Sequence, residues 1–127
     1  MNRIKLLLIG LLTFISNCKG QTQQVPVNLY NTAIIGTWIL EDGTNQKLVF
    51  TADGICKIYE DDILHTTCQY SFESVSCENY SAEGVIYLKW KEADDPVSSC
   101  LEVSSMTNNT LSLMLIDNAK ILFYNKQ

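Results

Sequence analysis

From residue 33 onward the chain is written as short runs of β-forming residues, each closed by a cluster of turn formers, and this rhythm limits the fold more than anything else in the sequence. The runs fall near Ala33–Leu40, Gln46–Thr51, Ile55–Glu60, Leu64–Val75, Val85–Lys91, Cys100–Ser105, Leu111–Ile116 and Lys120–Asn125. Between them lie Glu41-Asp42-Gly43-Thr44-Asn45, Ala52-Asp53-Gly54, Asp61-Asp62, Ala93-Asp94-Asp95-Pro96, Thr107-Asn108-Asn109-Thr110 and Asp117-Asn118-Ala119. Gly, Pro, Asn and Asp favour turns because they tolerate or pre-set the backbone angles a turn needs. Within the runs Leu48/Phe50 and Leu111/Leu113/Leu115 alternate with other residues, which gives a strand one apolar face. No helical period appears after residue 18. Short connections make successive strands antiparallel neighbours, so about eight strands form a meander. Such a meander can close into a barrel and leave no edge strand. The expected fold is therefore all-β, an antiparallel eight-stranded meander closed as a small barrel, with a flat sandwich as the alternative.

The N-terminus has a different grammar. Arg3 and Lys5 precede the apolar run Leu6–Ile15, the charge-then-apolar order of a signal peptide. The run is too short for a spanning helix, which needs ~20 apolar residues. Ile15-Ser16-Asn17-Cys18 resembles the lipobox of bacterial lipoproteins, in which the Cys sulfur takes diacylglycerol through a thioether. The competing reading is ordinary signal peptidase cleavage after Gly20. The expected organisation is a lipoprotein signal peptide over 1–17, a lipid anchor and polar tether over 18–32, and one barrel domain over 33–127. Residues 19–32 are polar and contain Pro26, so the tether is expected to stay solvated. Export to the bacterial cell envelope follows, on its periplasmic or cell-surface side, with the membrane as partner through the acyl chains on Cys18.

Charge narrows the function classes. Once Arg3 and Lys5 leave with the signal, seven Lys stand against fourteen acidic residues, a formal charge of −7 with no Arg. That balance disfavours nucleic acid and electrostatic docking on anionic lipid.

Gly36-Thr37-Trp38 lies on the first run, where lipocalins carry a Gly-x-Trp signature. Together with Leu48-Val49-Phe50-Thr51-Ala52-Asp53-Gly54, it is similar to the opening of small bacterial lipocalin-like lipoproteins. The resemblance extends over about residues 33–125 and is specific in the first twenty. It implies that Trp38 closes one end of the barrel and that Gly36 lets the backbone bend there. Lipocalins pack an Arg on this Trp; here no Arg is available, and Lys120 is the expected substitute near the last strands.

Four cysteines follow Cys18: Cys56, Cys68, Cys77 and Cys100. An even number in a small exported domain reads as two disulfides, and no spacing matches a zinc site. A three-residue loop of Asp61, Asp62 and Ile63 would place Glu60 opposite Leu64 and hence Cys56 opposite Cys68. Cys77 and Cys100 would then form the second bridge.

No nucleophile–base set, phosphate loop or metal constellation stands out, so no enzyme activity, cofactor or metal is expected. The one histidine, His65, reads as a solvated hairpin residue, and Glu60-Asp61-Asp62 as turn chemistry rather than a calcium site. What remains is the barrel interior. Leu48, Phe50, Ile58, Tyr70, Phe72, Leu88, Trp90, Leu111, Leu113 and Leu115 are the inward candidates. Of these Phe50, Ile58, Tyr70, Phe72, Leu88, Trp90 and Leu113 are the expected contacts for a small apolar ligand. An eight-stranded barrel is either filled by its own side chains or holds one small ligand. Bulky candidates on short strands favour the filled form. Two function classes result: a monomeric carrier of an apolar ligand, or an envelope interaction or inhibitor module with a filled core.

Overall fold

The computed structural model describes residues 23–127. Eight strands follow one another: β1 (Gly36–Leu40), β2 (Gln46–Phe50), β3 (Ile55–Glu60), β4 (Ile63–Glu73), β5 (Tyr87–Glu92), β6 (Ser99–Met106), β7 (Thr110–Leu115) and β8 (Ile121–Lys126). Each pairs antiparallel with its sequence neighbours, and β8 pairs back onto β1 through Trp38–Lys126, Ile39–Asn125 and Leu40–Tyr124. The sheet is thus a closed eight-stranded meander barrel, compatible with a lipocalin-like fold. Closure satisfies the hydrogen-bonding edges of β1 and β8, which an open sandwich would have left unpaired.

The β-period sets what is inside. Trp38 and Leu40 from β1, Leu48 and Phe50 from β2, Leu88 from β5, Leu101 and Val103 from β6, Leu111 and Leu113 from β7 and Tyr124 from β8 form one buried cluster. One break in the alternation has a local cause. Tyr87 and Leu88 are both buried although they are consecutive. Leu88 faces the core, and the β4–β5 loop covers Tyr87, held down by the Cys77–Cys100 disulfide across a Cα–Cα distance of 5.9 Å. The loop's own turn is tied by Ser76 Oγ, which accepts from the amides of Glu78 and Tyr80.

The β3–β4 hairpin departs from the expected three-residue loop. Glu60 faces Ile63, leaving Asp61 and Asp62 as a two-residue turn with φ of 51° and 63°. Positive φ at both central positions is the hairpin turn whose twist matches the strands, and Asp tolerates it. Such a turn alone would oppose Cys56 to Thr67. A bulge after Ile58 leaves His65 unpaired between Leu64 and Thr66 and shifts the register by one residue, so Cys56 does face Cys68.

The two thiols nevertheless remain free and buried, against the expected second bridge. The reason lies in the ladder. The Tyr70 amide donates to the Gly54 carbonyl over 2.9 Å, which makes that facing pair a hydrogen-bonded one. Alternation then puts Cys56–Cys68, two positions along, at another hydrogen-bonded pair. Facing Cβ atoms are wider apart at such sites than at the alternate ones, beyond the ~3.8 Å a disulfide prefers.

The segment expected as a solvated tether is folded from Gln24 on. The Val25 amide donates to the Met106 carbonyl over 2.7 Å, and Gln24 Oε1 accepts from the Met106 amide over 3.0 Å. A 3₁₀ turn (Val27–Leu29) and one turn of helix, α1 (Tyr30–Ala33), follow and lie across the barrel end. The first strand therefore starts at Gly36 rather than Ala33.

Candidate functional site

The barrel has two unlike ends. One end is closed by the 3₁₀ turn and α1 together with Trp38. Trp38 is fully buried, and its indole N–H donates to the Ile34 carbonyl over 2.8 Å. Lys126, not Lys120, supplies the cation on its ring: Nζ lies 5.3 Å from the ring centroid and donates to the Ala33 carbonyl over 3.1 Å. Lys120 sits at the other end of β8, beyond reach of Trp38, because β8 runs antiparallel to β1. Gly36, with φ of 135°, makes room for this arrangement; a Cβ there would stand 2.8 Å from Lys126 Cε. An aromatic series runs from the core into the cap. Phe50 meets Tyr70 edge-on at 5.0 Å, Tyr70 meets Phe72 at 6.3 Å, and Phe72 meets Tyr30 of α1 at 5.4 Å. The Tyr70 hydroxyl donates to the Thr51 carbonyl over 2.9 Å.

Most of the expected ligand contacts are thus absorbed by packing. Phe50, Leu88 and Leu113 belong to the closed core, exposed by 1%, 0% and 0%. Ile58, Tyr70 and Phe72 are half-buried and pack against that core. Trp90 also lines a cleft.

That cleft has a volume of about 530 Å³ and lies at the far end of the barrel. Its apolar wall is Trp90, Val97, Leu101, Leu115 and Ile116; Ser98 and Ser99 add hydroxyls, and Glu78 and Asp117 stand at its margin. No lysine lines it. The β5–β6 loop brings Val97, the β7–β8 turn brings Ile116 and Asp117, and the Cys77–Cys100 bridge brings the Ser76–Glu78 stretch alongside. Val97 is 69% exposed and Ile116 43%, both unusual for aliphatic side chains beside a hollow wide enough for a small molecule. Sequence reasoning missed Val97 and Ile116. The only signal was one branched aliphatic residue in the turn-forming stretch Ala93–Ser99, and an Ile that extends the alternating β7 run into its turn.

Elsewhere polar groups are engaged locally. Asp61 Oδ1 accepts from Asn45 Nδ2 at 3.1 Å, and Asp62 Oδ1 pairs with Lys47 Nζ at 2.6 Å, so both turn carboxylates already have partners. Burial, reinforced by the neighbouring Cys68, pushes the Cys56 thiol up to about 12. Burial and the Glu92 carboxylate also raise Cys68. Among the described residues no cluster of His, Cys, Asp and Glu has metal-binding geometry. Cys18 and the signal-like segment lie outside the described residues. No protein-family model, characterised protein or solved structure matches the chain.

Proposed function

We propose that the protein is an exported, lipid-anchored, lipocalin-like binding module of the bacterial cell envelope, which takes a small apolar ligand and performs no catalysis. The observation that carries the ligand reading is the far-end cleft, where Trp90, Val97, Leu101, Leu115 and Ile116 offer apolar surface at the barrel mouth. Burial of ligand surface there contributes roughly 25 cal/mol per Å². The ligand class is narrowed by charge. Glu78 and Asp117 stand at the margin with no lysine opposite, so a fatty carboxylate meets like charge, and a neutral or amine-bearing apolar molecule does not. The anchor reading rests on the charged n-region, the apolar run and the lipobox-like Ile15–Cys18.

Trp90 is its own reporter. Titration with dodecanol is expected to shift its emission and to saturate, dodecanoate is expected to bind more weakly, and Val97→Asp is expected to abolish the response. A Trp90→Phe variant separates the signal from buried Trp38. Identical responses to alcohol and carboxylate would sink the charge argument. No saturable response at all would favour the second reading, an envelope interaction or inhibitor module. That reading draws on the filled core and on Ile63, 71% exposed on the β3–β4 hairpin.

A further inference from the structure

We infer that the capped end of the barrel is a membrane-docking face, seated on the uncharged surface of the bilayer that carries the Cys18 anchor, with the cleft turned away from the lipid. The inference rests on the lipidation reading and adds an orientation to it.

The first argument is reach. The described chain begins at the cap, where Gln24 and Val25 are pinned to Met106 at the end of β6. Cys18 is only five residues before Gln23. Five residues span at most about 18 Å even when fully extended. An acylated Cys18 in the headgroup region therefore holds the cap close to the bilayer, and the cleft lies at the opposite end.

The second argument is the composition of that face. Between Lys19 and Glu41 no residue carries a charge, although 18% of the chain is charged. Of the turns at this end, Thr107-Asn108-Asn109-Thr110 is also uncharged, and the loop charges beside the cap are Asp53 in the β2–β3 turn and Glu83 in the β4–β5 loop. Residues 24–35 nevertheless expose Val27 by 52%, Leu29 by 48% and Ile35 by 37%. Val27 shares a hollow of about 380 Å³ with Val75, itself 36% exposed, and with Glu83, the one charged residue on its wall; Leu29 shares a hollow of about 320 Å³ with Val25 and Pro26 and with no charged residue. Solvated turns usually carry charge; this one presents aliphatic side chains and amides, which suit an interface where one side is wet and the other apolar. The acidic excess of the rest of the surface gives an anionic membrane no attraction, so the fitting partner is a zwitterionic or neutral lipid surface.

The test uses full-length protein isolated from an expressing bacterium with its acyl chains, reconstituted into phosphatidylcholine vesicles with or without brominated acyl chains. Val27→Trp and Leu29→Trp report from the cap, and Ile63→Trp from the far end; the parent's Trp38 and Trp90 give the baseline. The expected result is that the protein floats with the vesicles, that bromolipid quenches the emission added at residues 27 and 29, and that emission added at residue 63 is unaffected. Flotation with quenching at residue 63, or with no quenching at residues 27 and 29, would overturn the docking face and leave the anchor standing. Failure to float, with an intact mass lacking acyl chains, would overturn the anchor and the docking face with it.

Discussion

Replacing Gly36 by Ala tests how the capped end is held together, and the cost can be worked from the structure. Gly36 sits at φ 135°, a backbone conformation that L side chains rarely adopt. Holding a non-glycine residue in such a region costs ~1–3 kcal/mol. The new Cβ would also stand 2.8 Å from Lys126 Cε. Lys126 can swing away, since the atom is near the end of a flexible side chain, but it then leaves the face of Trp38 and its hydrogen bond to the Ala33 carbonyl. A cation on an aromatic ring contributes about 0.5–2 kcal/mol. A hydrogen bond from a charged group adds a similar amount when it is not replaced by water. The summed expectation for Gly36→Ala is about 3 kcal/mol, which for a domain of this size lowers Tm by roughly 12–24 °C. Thermal or urea unfolding followed by circular dichroism reads the change. The decisive measurement is the double-mutant cycle with Lys126→Ala. Once the side chain that would be struck is gone, Gly36→Ala should cost only the backbone term, so the two changes should couple by about 1 kcal/mol or more. Strict additivity would show that Gly36 and Lys126 act separately and would refute the reasoning.

Cys18→Ala should move the protein out of the membrane fraction and remove the acyl mass, because two or three acyl chains anchor stably; unchanged fractionation and mass would refute lipidation. Thiol titration should find Cys56 and Cys68 unreactive in the native protein and both reactive in denaturant without reductant, with Cys77 and Cys100 joined in a non-reducing peptide map; a Cys56–Cys68 linked peptide would contradict the ladder argument. Opening the Cys77–Cys100 bridge, which closes a sequence separation of 23, should cost about 3 kcal/mol by chain entropy and loosen the β4–β5 loop over Tyr87; an unchanged urea midpoint would speak against it. Stability should fall as pH rises above 9, since unfolded Cys56 ionises from about there while the folded thiol stays protonated to about 12. The unfolded state then binds fewer protons, and the slope approaches −1.4 kcal/mol per pH unit from this group alone. Buried Tyr124, also raised, adds to the loss above pH 10. A flat stability profile between pH 9 and 11 would exclude this assignment.

What the sequence could and could not disclose follows from the range of each interaction. Strand alternation and turn chemistry are local, so the approximate positions of all eight strands and the buried Leu48, Phe50, Leu88, Leu111 and Leu113 were legible, whereas Leu101, Val103 and Met106 of β6 were not among the inward candidates. Closure was argued from strand count and short loops, and the β1–β8 pairing agrees. The cap was not legible, because Val25–Ala33 has neither helical period nor charge, and its order comes from docking on Met106 and Phe72. The Cys56–Cys68 pairing was reached by a route the molecule does not take: a tighter turn and a bulge at His65 compensate each other, and only the net register shows. Whether facing cysteines can bond depends further on the parity of the ladder, which one hydrogen bond beyond the hairpin sets.

The cation on Trp38 illustrates the remaining gap. Lys120 and Lys126 bracket the same strand, and their side chains are chemically equal. Which of them reaches Trp38 depends on the direction and stagger of β8 against β1, a pairing between the two ends of the chain. With the observed pairing of Trp38 to Lys126, the cation lies at the cap, beside Gly36 and the Ala33 carbonyl. Lys120 stays at the mouth end, in the β7–β8 turn, but is not among the residues that line the cleft with Asp117 and Glu78. The pairing thus leaves one lysine at each end, Lys126 on Trp38 and Lys120 in the turn after Asp117, and the charge of the cleft itself is set by Glu78 and Asp117 in its lining. Lys126→Ala combined with Asp117→Lys moves the charge from one end to the other. It should lower stability through loss of the Trp38 contact while narrowing the preference of the cleft for dodecanol over dodecanoate. An unchanged alcohol-to-carboxylate ratio in that variant would mean that the cleft does not read charge.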